Sequence, residues 1–283
     1  MAVDEAGPRP RRSLLYVPAA NERALEKARE LKSDGLIVDL EDSVTPGAKE
    51  TARAAAVAAV QAGFDGRETV VRCNGLDTPW GEADLQALVA ARPDAVLAPK
   101  VSSAAEVHAY DRALAGETRL WIMIETARAA LNLREIAETA ASTRLEVLVL
   151  GPNDLSVELG LKEPMARLAH KTILFQMSIA ARAHGLQSLG GVFNEIADLA
   201  GFEDECAEEA SLGLDGKTLI HPSQIKPANR AFSPSPEELA WARAVVDAFA
   251  APAAKGKGVI RLDGKMIERL HLAQAKRLLG RAL

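Results

Sequence analysis

Along most of the chain, short apolar runs alternate with longer stretches in which apolar residues recur every third or fourth position. Eight of the short runs read as strands: Ser13–Val17, Gly35–Leu40, Thr69–Arg72, Ala95–Ala98, Leu120–Ile124, Val147–Leu150, Ser188–Val192 and Thr218–Ile220. Between them the helical period predicts helices over Asn21–Leu31, Ala48–Ala62, Ala104–Leu114, Leu133–Ala140, Met165–His184 and Ile196–Leu212. Asn21 and Asn132 stand where a side-chain oxygen would cap the helix that follows. Most of the strand runs are apolar at successive positions, the pattern of parallel strands buried on both faces. Eight β/α units of this length predict a closed (β/α)8 TIM barrel. An open doubly wound sheet is the alternative. No Gly-x-Gly-x-x-Gly turn follows the first strand and no phosphate-loop motif occurs, which argues against its nucleotide-binding versions.

The rhythm changes near the end. Pro234 and Pro236 precede a helix-like run, Glu237–Ala251, and the stretch from Pro252 to Gly258 reads as a flexible linker. A short strand-like piece and a helix over Met266–Leu279 follow. The expected organisation is an N-terminal tail (1–12), a catalytic barrel (13–252) and a C-terminal linker with a lid-like extension (253–283).

Composition narrows the function classes. Of 283 residues, 48% are hydrophobic and 26% charged, which is ordinary for a globular chain. Aromatic residues make up only 4%, so the core must be built from Ala, Leu, Val and Ile. No apolar run approaches the roughly 18 residues of a membrane span, and the run after Arg12 breaks at Pro18, too soon for a signal peptide. No membrane association is expected. The net charge is −5 with both signs interspersed, so nucleic acid is not an expected partner. Cys73 and Cys206 are far apart and lack a metal-type spacing. A reducing compartment, the cytoplasm, is expected.

The candidate chemistry lies just after the strands, where a barrel gathers its C-terminal rim. Asp39, Glu41 and Asp42 follow the second strand, Arg72 and Asn74 the third, and Lys100 the fourth. Glu125 and Thr126 follow the fifth, Asn153 and Asp154 the sixth, and His221, Ser223 and Gln224 the eighth. Glu125 and Asp154 could bind one hard cation with water and substrate oxygens completing the shell, or each could cap the next helix. Arg72 offers a planar fork for a carboxylate. Lys100 could meet an anionic substrate, form a Schiff base, or pair with Glu41 or Asp42. His221 could be a base or a structural hydrogen-bonder; Cys73 reads as packing.

These residues sit in an ordered set of motifs. They are RRSLLYVPAANERALEKA, DGLIVDLEDSV with Lys49 and Arg53 behind it, VVRCNGLDT, APKV, IETA, GPNDLSVELG and LGLDGKTLIHPSQI, then GKGVIRLDGKMIE near the C-terminus. Together they resemble the citrate lyase beta-subunit-like branch of the HpcH/HpaI aldolase family, from about Ser13 to Phe232 and again near the end. The resemblance implies a TIM barrel, Mg2+ and a homo-oligomer, a trimer or hexamer. It implies Glu125 and Asp154 as the magnesium ligands, with Glu125 also bordering the substrate. It implies that Arg72 holds a substrate carboxylate or carbonyl, with Asn74 and Lys100 as further substrate contacts. Glu41 and Asp42 match the acidic pair that supports the metal waters and the lysine. Glu268, in KMIERL, occupies the lid position where family members carry an aspartate that acts as acid/base in a neighbouring subunit; here the acid is one methylene longer.

The implied activity is a magnesium-dependent carbon–carbon lyase acting on a 3-hydroxyacyl-CoA of the malyl, citramalyl or citryl type. Its products are a 2-keto acid and acetyl-CoA. Alternatives are an aldolase on free 2-keto acids, a malyl-CoA-type thioesterase, and a subunit of a citrate lyase complex.

Overall fold

A computed structural model describes residues 9–280. The barrel strands are β1 (Ser13–Pro18), β2 (Gly35–Asp39), β3 (Glu68–Arg72), β4 (Ala95–Ala98), β5 (Arg119–Ile124), β6 (Leu145–Leu150), β7 (Gln187–Gly190) and β8 (Gly216–Leu219). They are all parallel, and each pairs with its sequence neighbours until β8 closes on β1. This is the expected (β/α)8 barrel. Alternate residues explain the continuous apolar runs: Ile37, Val70 and Trp121 fill the barrel interior, while Leu36, Val38, Val71 and Ile122 belong to the layer under the helices.

The barrel unit begins at Arg11, so the last residues of the expected N-terminal tail belong to the barrel. The Arg11 guanidinium is buried beneath the barrel, 5.0 Å from the Trp121 ring, and bonds to Glu68 and Glu146 at 2.7 and 2.8 Å. A buried charge needs such partners. The rest of the tail, residues 1–8, lies outside the described residues.

The predicted helices form, with differences at their ends. Asn21 caps its helix as expected, accepting from the Ala24 amide at 3.1 Å. Asn132 does not cap; its side-chain amide donates to the Ser102 carbonyl, and Thr126 caps the short helix Ala127–Leu131 instead. Further helices, among them Gly81–Ala91 and Pro152–Leu159, form outside the spans the helical period predicts.

The barrel unit ends at Phe232, earlier than the expected boundary at 252. The helix Pro236–Ala250 belongs to the C-terminal unit because its Ala242 and Val245 are buried in a small core with Ile267 and Ala275. That core also takes in a hairpin, β9 (Val259–Leu262) with β10 (Lys265–Glu268), and the helix Arg269–Leu279. Asp263 and Gly264 turn the hairpin with φ of 49° and 77°, the paired positive values that an Asp-Gly turn supplies.

Candidate active site

The C-terminal ends of the strands border a cavity of ≈ 370 Å³. Asp39 and Arg72 end their strands as direct register partners. Adjacency across one strand spacing lets Arg72 Nε and Nη2 donate to the two oxygens of Asp39, both at 2.7 Å. The Tyr16 ring stacks 4.9 Å from the guanidinium carbon. Burial would raise the Asp39 carboxyl, but the Arg72 charge outweighs it and holds Asp39 below the usual carboxylate range. Arg72 is thus committed on one edge. Its remaining nitrogen, Nη1, lies 2.9 Å from Glu41 and 3.3 Å from Asp42.

Glu125, at the end of β5, has no exposed surface. One oxygen accepts from the Lys100 amide at 2.6 Å; the other, Oε2, has no hydrogen-bond partner. Lys100 adopts φ of 53°, a left-handed backbone that is uncommon for a non-glycine residue. Burial, reinforced by the charges of Glu41 and Asp154, pushes the Glu125 carboxyl up to about 8. Gly151 makes room beside it: a Cβ there would stand 2.5 Å from Glu125 Oε2. Asp154 sits in the first turn of the helix Pro152–Leu159 and lines the cavity, without capping that helix.

The other expected residues divide. The side chain of Lys100 pairs with Glu41 at 2.8 Å, the structural alternative raised by its position. Asn74 is buried behind the rim, and its side chain is occupied: it accepts from Lys49 and donates to the Leu40 carbonyl and to Asp84. It therefore braces the rim, in contrast to the expected substrate contact. His221 caps the turn Pro222–Gln224 through Ser223, and Cys73 is buried packing. Glu268, in the C-terminal unit, stands at the start of the final helix, its amide donating to His271 Nδ1 at 2.9 Å. Tyr16 and Met123 were not among the candidates read from the sequence, and Asp39 was named there without a role; all three line the cavity. Asp39 was visible as a strand-end acid; its role depends on the β2–β3 register.

The model of the HpcH/HpaI aldolase/citrate lyase family matches residues 12–222. The chain belongs to that family. It is 46% identical over 274 residues to a (3S)-malyl-CoA thioesterase of Cereibacter sphaeroides (strain KD131), covering 96% of this chain and 95% of the relative. It is 35% identical over 287 residues to citrate lyase subunit beta of Escherichia coli (strain K12), covering 97% and 94%. Among solved structures, CitE from Mycobacterium tuberculosis in complex with magnesium, acetoacetate and coenzyme A matches with a TM-score of 0.76 and 33% identity over 98% of each chain.

The residues of this family member suit a hard cation. An orphaned, fully buried carboxylate oxygen costs free energy that a cation would recover, and Glu125 Oε2 is such an atom. Among the described residues no group of three or more His, Cys, Asp or Glu is placed to hold a metal. A site here would rely on two carboxylates, Glu125 and Asp154, with water and substrate oxygens for the rest, a shell that suits magnesium. Among the described residues no helix is long and apolar enough to cross a membrane.

Proposed function

We propose that the chain is a magnesium-dependent enzyme of malyl-type CoA thioesters. The observation that carries this reading is the unpartnered oxygen of buried Glu125, which lies against Gly151 and feels the charge of Asp154, next to a cavity lined by Gly151, Asp154 and Arg72. Magnesium held there by Glu125 and Asp154 would polarise a substrate oxygen. The residues of the chain then have distinct tasks. Arg72 Nη1 stabilises charge developing on the substrate, held in place because Asp39 fixes the other edge of the guanidinium. Lys100 pairs with Glu41 and opposes the burial that raises that carboxyl.

Carbon–carbon cleavage of a 3-hydroxyacyl-CoA would give a 2-keto acid and acetyl-CoA. Hydrolysis of the thioester is the second reading, favoured by the 46% identity to (3S)-malyl-CoA thioesterase. Malyl-, citramalyl- and citryl-CoA, each incubated with magnesium, decide between them. A keto acid with acetyl-CoA marks lyase activity; a free hydroxy acid with CoA marks the thioesterase. Wild-type protein that turns over none of the three, with or without magnesium, would refute the substrate class. The reading also takes in a cytoplasmic homo-oligomer, a trimer or hexamer, in which Glu268 serves as acid/base in a neighbouring subunit.

A further inference from the structure

Two donors in the cavity converge on one poor acceptor. The Tyr16 hydroxyl lies 4.0 Å from Met123 Sδ, and Arg72 Nη1 lies 3.8 Å from the same sulfur. A thioether accepts hydrogen bonds weakly. Among the described residues the Tyr16 hydroxyl has no oxygen or nitrogen partner. Arg72 is fixed by Asp39 on its other edge and by Glu41 and Asp42 at 2.9 and 3.3 Å from Nη1, and the Tyr16 ring is stacked on the guanidinium. An oxygen placed beside the Met123 sulfur would accept from both and be a better partner than the sulfur is.

We propose that Tyr16 is a further substrate-contacting residue, whose hydroxyl joins Arg72 Nη1 in a two-donor pocket for a substrate oxygen that gains negative charge. The oxygen belongs to the keto-acid half of the substrate, because the cavity that holds both donors is also the one lined by Asp154. This deepens the function proposed above and rests on it. A neutral phenol suits the task. Burial, opposed by Arg72 and reinforced by Asp39, Glu125 and Glu41, raises the Tyr16 hydroxyl well above its ordinary value and keeps it protonated. Fixed donors aimed at developing charge need no reorganisation during reaction.

Tyr16→Phe keeps the ring that stacks on Arg72 and removes one oxygen. Calorimetric titrations of wild type and variant with pyruvate and with oxalate, in magnesium buffer, read the pocket without turnover. Turnover of the same three thioesters and the thermal midpoint complete the test. The variant is expected to bind oxalate at least about tenfold more weakly, about 1.4 kcal/mol. Its kcat should fall on the order of 10²–10³-fold, while the thermal midpoint and magnesium affinity without organic ligand stay at the wild-type values. A variant that binds and turns over as wild type does overturns the assignment of Tyr16. So does a loss of binding that comes only with a large fall in thermal midpoint, since the hydroxyl would then be structural. Wild type that binds neither ligand overturns the reading of the whole site, a result visible before any variant is made.

Discussion

A carboxylate oxygen without solvent or a hydrogen-bond donor is costly, and Glu125 retains one because Gly151 leaves space next to it. Gly151→Ala is therefore expected to turn Glu125 aside: the new Cβ would lie 2.5 Å from both its Cβ and its Oε2. Overpacking of this kind costs about 1–3 kcal/mol. Magnesium affinity, measured by titration calorimetry, should fall at least about tenfold, the equivalent of about 1.4 kcal/mol. Wild-type affinity in the variant would show that Glu125 does not hold the metal. Arg72 makes a different prediction from the one its sequence position suggests. A substrate carboxylate was the expected partner of its planar fork, yet that fork is spent on Asp39. Arg72→Lys should still lower kcat/KM by more than about tenfold, because an ammonium cannot hold Asp39 at two points and reach the substrate as well. Near-wild-type kcat/KM would leave Arg72 a packing role only. The motifs made Arg72, Glu125 and Asp154 legible. Tyr16 and Met123 were not, since one reads as the aromatic of an apolar strand and the other as core.

At the scale of elements, the strands were legible because burial on both faces leaves an uninterrupted apolar signature. It faded where a strand carries charge or glycine. β8 was read from Thr218, two residues late, because Lys217 is a buried charge. Lys217 bonds to Glu205 and Glu209 at 2.8 and 2.6 Å, both on the helix Leu199–Ser211. Glu209 in turn requires Gly190 on β7, where a Cβ would stand 1.9 Å from its Oε2. The helix Gly81–Ala91 was missed because it starts without a side-chain cap, and its buried Asp84 serves the rim by accepting from Arg53 and Asn74. The Lys217 cluster should make stability depend on pH. Burial, partly offset by Lys217, pushes the Glu209 carboxyl up to about 7 from an ordinary 4.5. The folded state thus holds this proton more tightly than the unfolded state. Its contribution is complete below about 4.5 and is lost as pH rises to about 7. Glu209→Gln lacks this titration and keeps an acceptor for Lys217. Its thermal midpoint relative to wild type should therefore rise between pH 4.5 and 7. A difference that stays constant across that window would mean that Glu209 is ionised throughout.

On the scale of the whole molecule, the C-terminal unit has its own small core and presents Glu268 where a hairpin strand passes into the final helix. Two roles compete for this carboxyl. As the residue that starts the helix it would stabilise the unit alone, and Glu268→Ala would lower the thermal midpoint with activity intact. As the acid/base of a neighbouring subunit it would leave stability nearly unchanged and abolish turnover, because proton transfer needs a group positioned at the reacting atoms. Complementation separates them. Where Glu268→Gln proves inactive, its chains are mixed with inactive Asp154→Ala chains under conditions in which a tagged-chain pull-down confirms that subunits exchange. If Glu268 acts across a boundary, a mixed oligomer contains some sites in which the intact Asp154 of one chain meets the intact Glu268 of another. Partial activity should then return, and it should scale with the fraction of mixed oligomers. Confirmed exchange without any recovered turnover would assign Glu268 to its own helix and leave the acid/base step to the barrel.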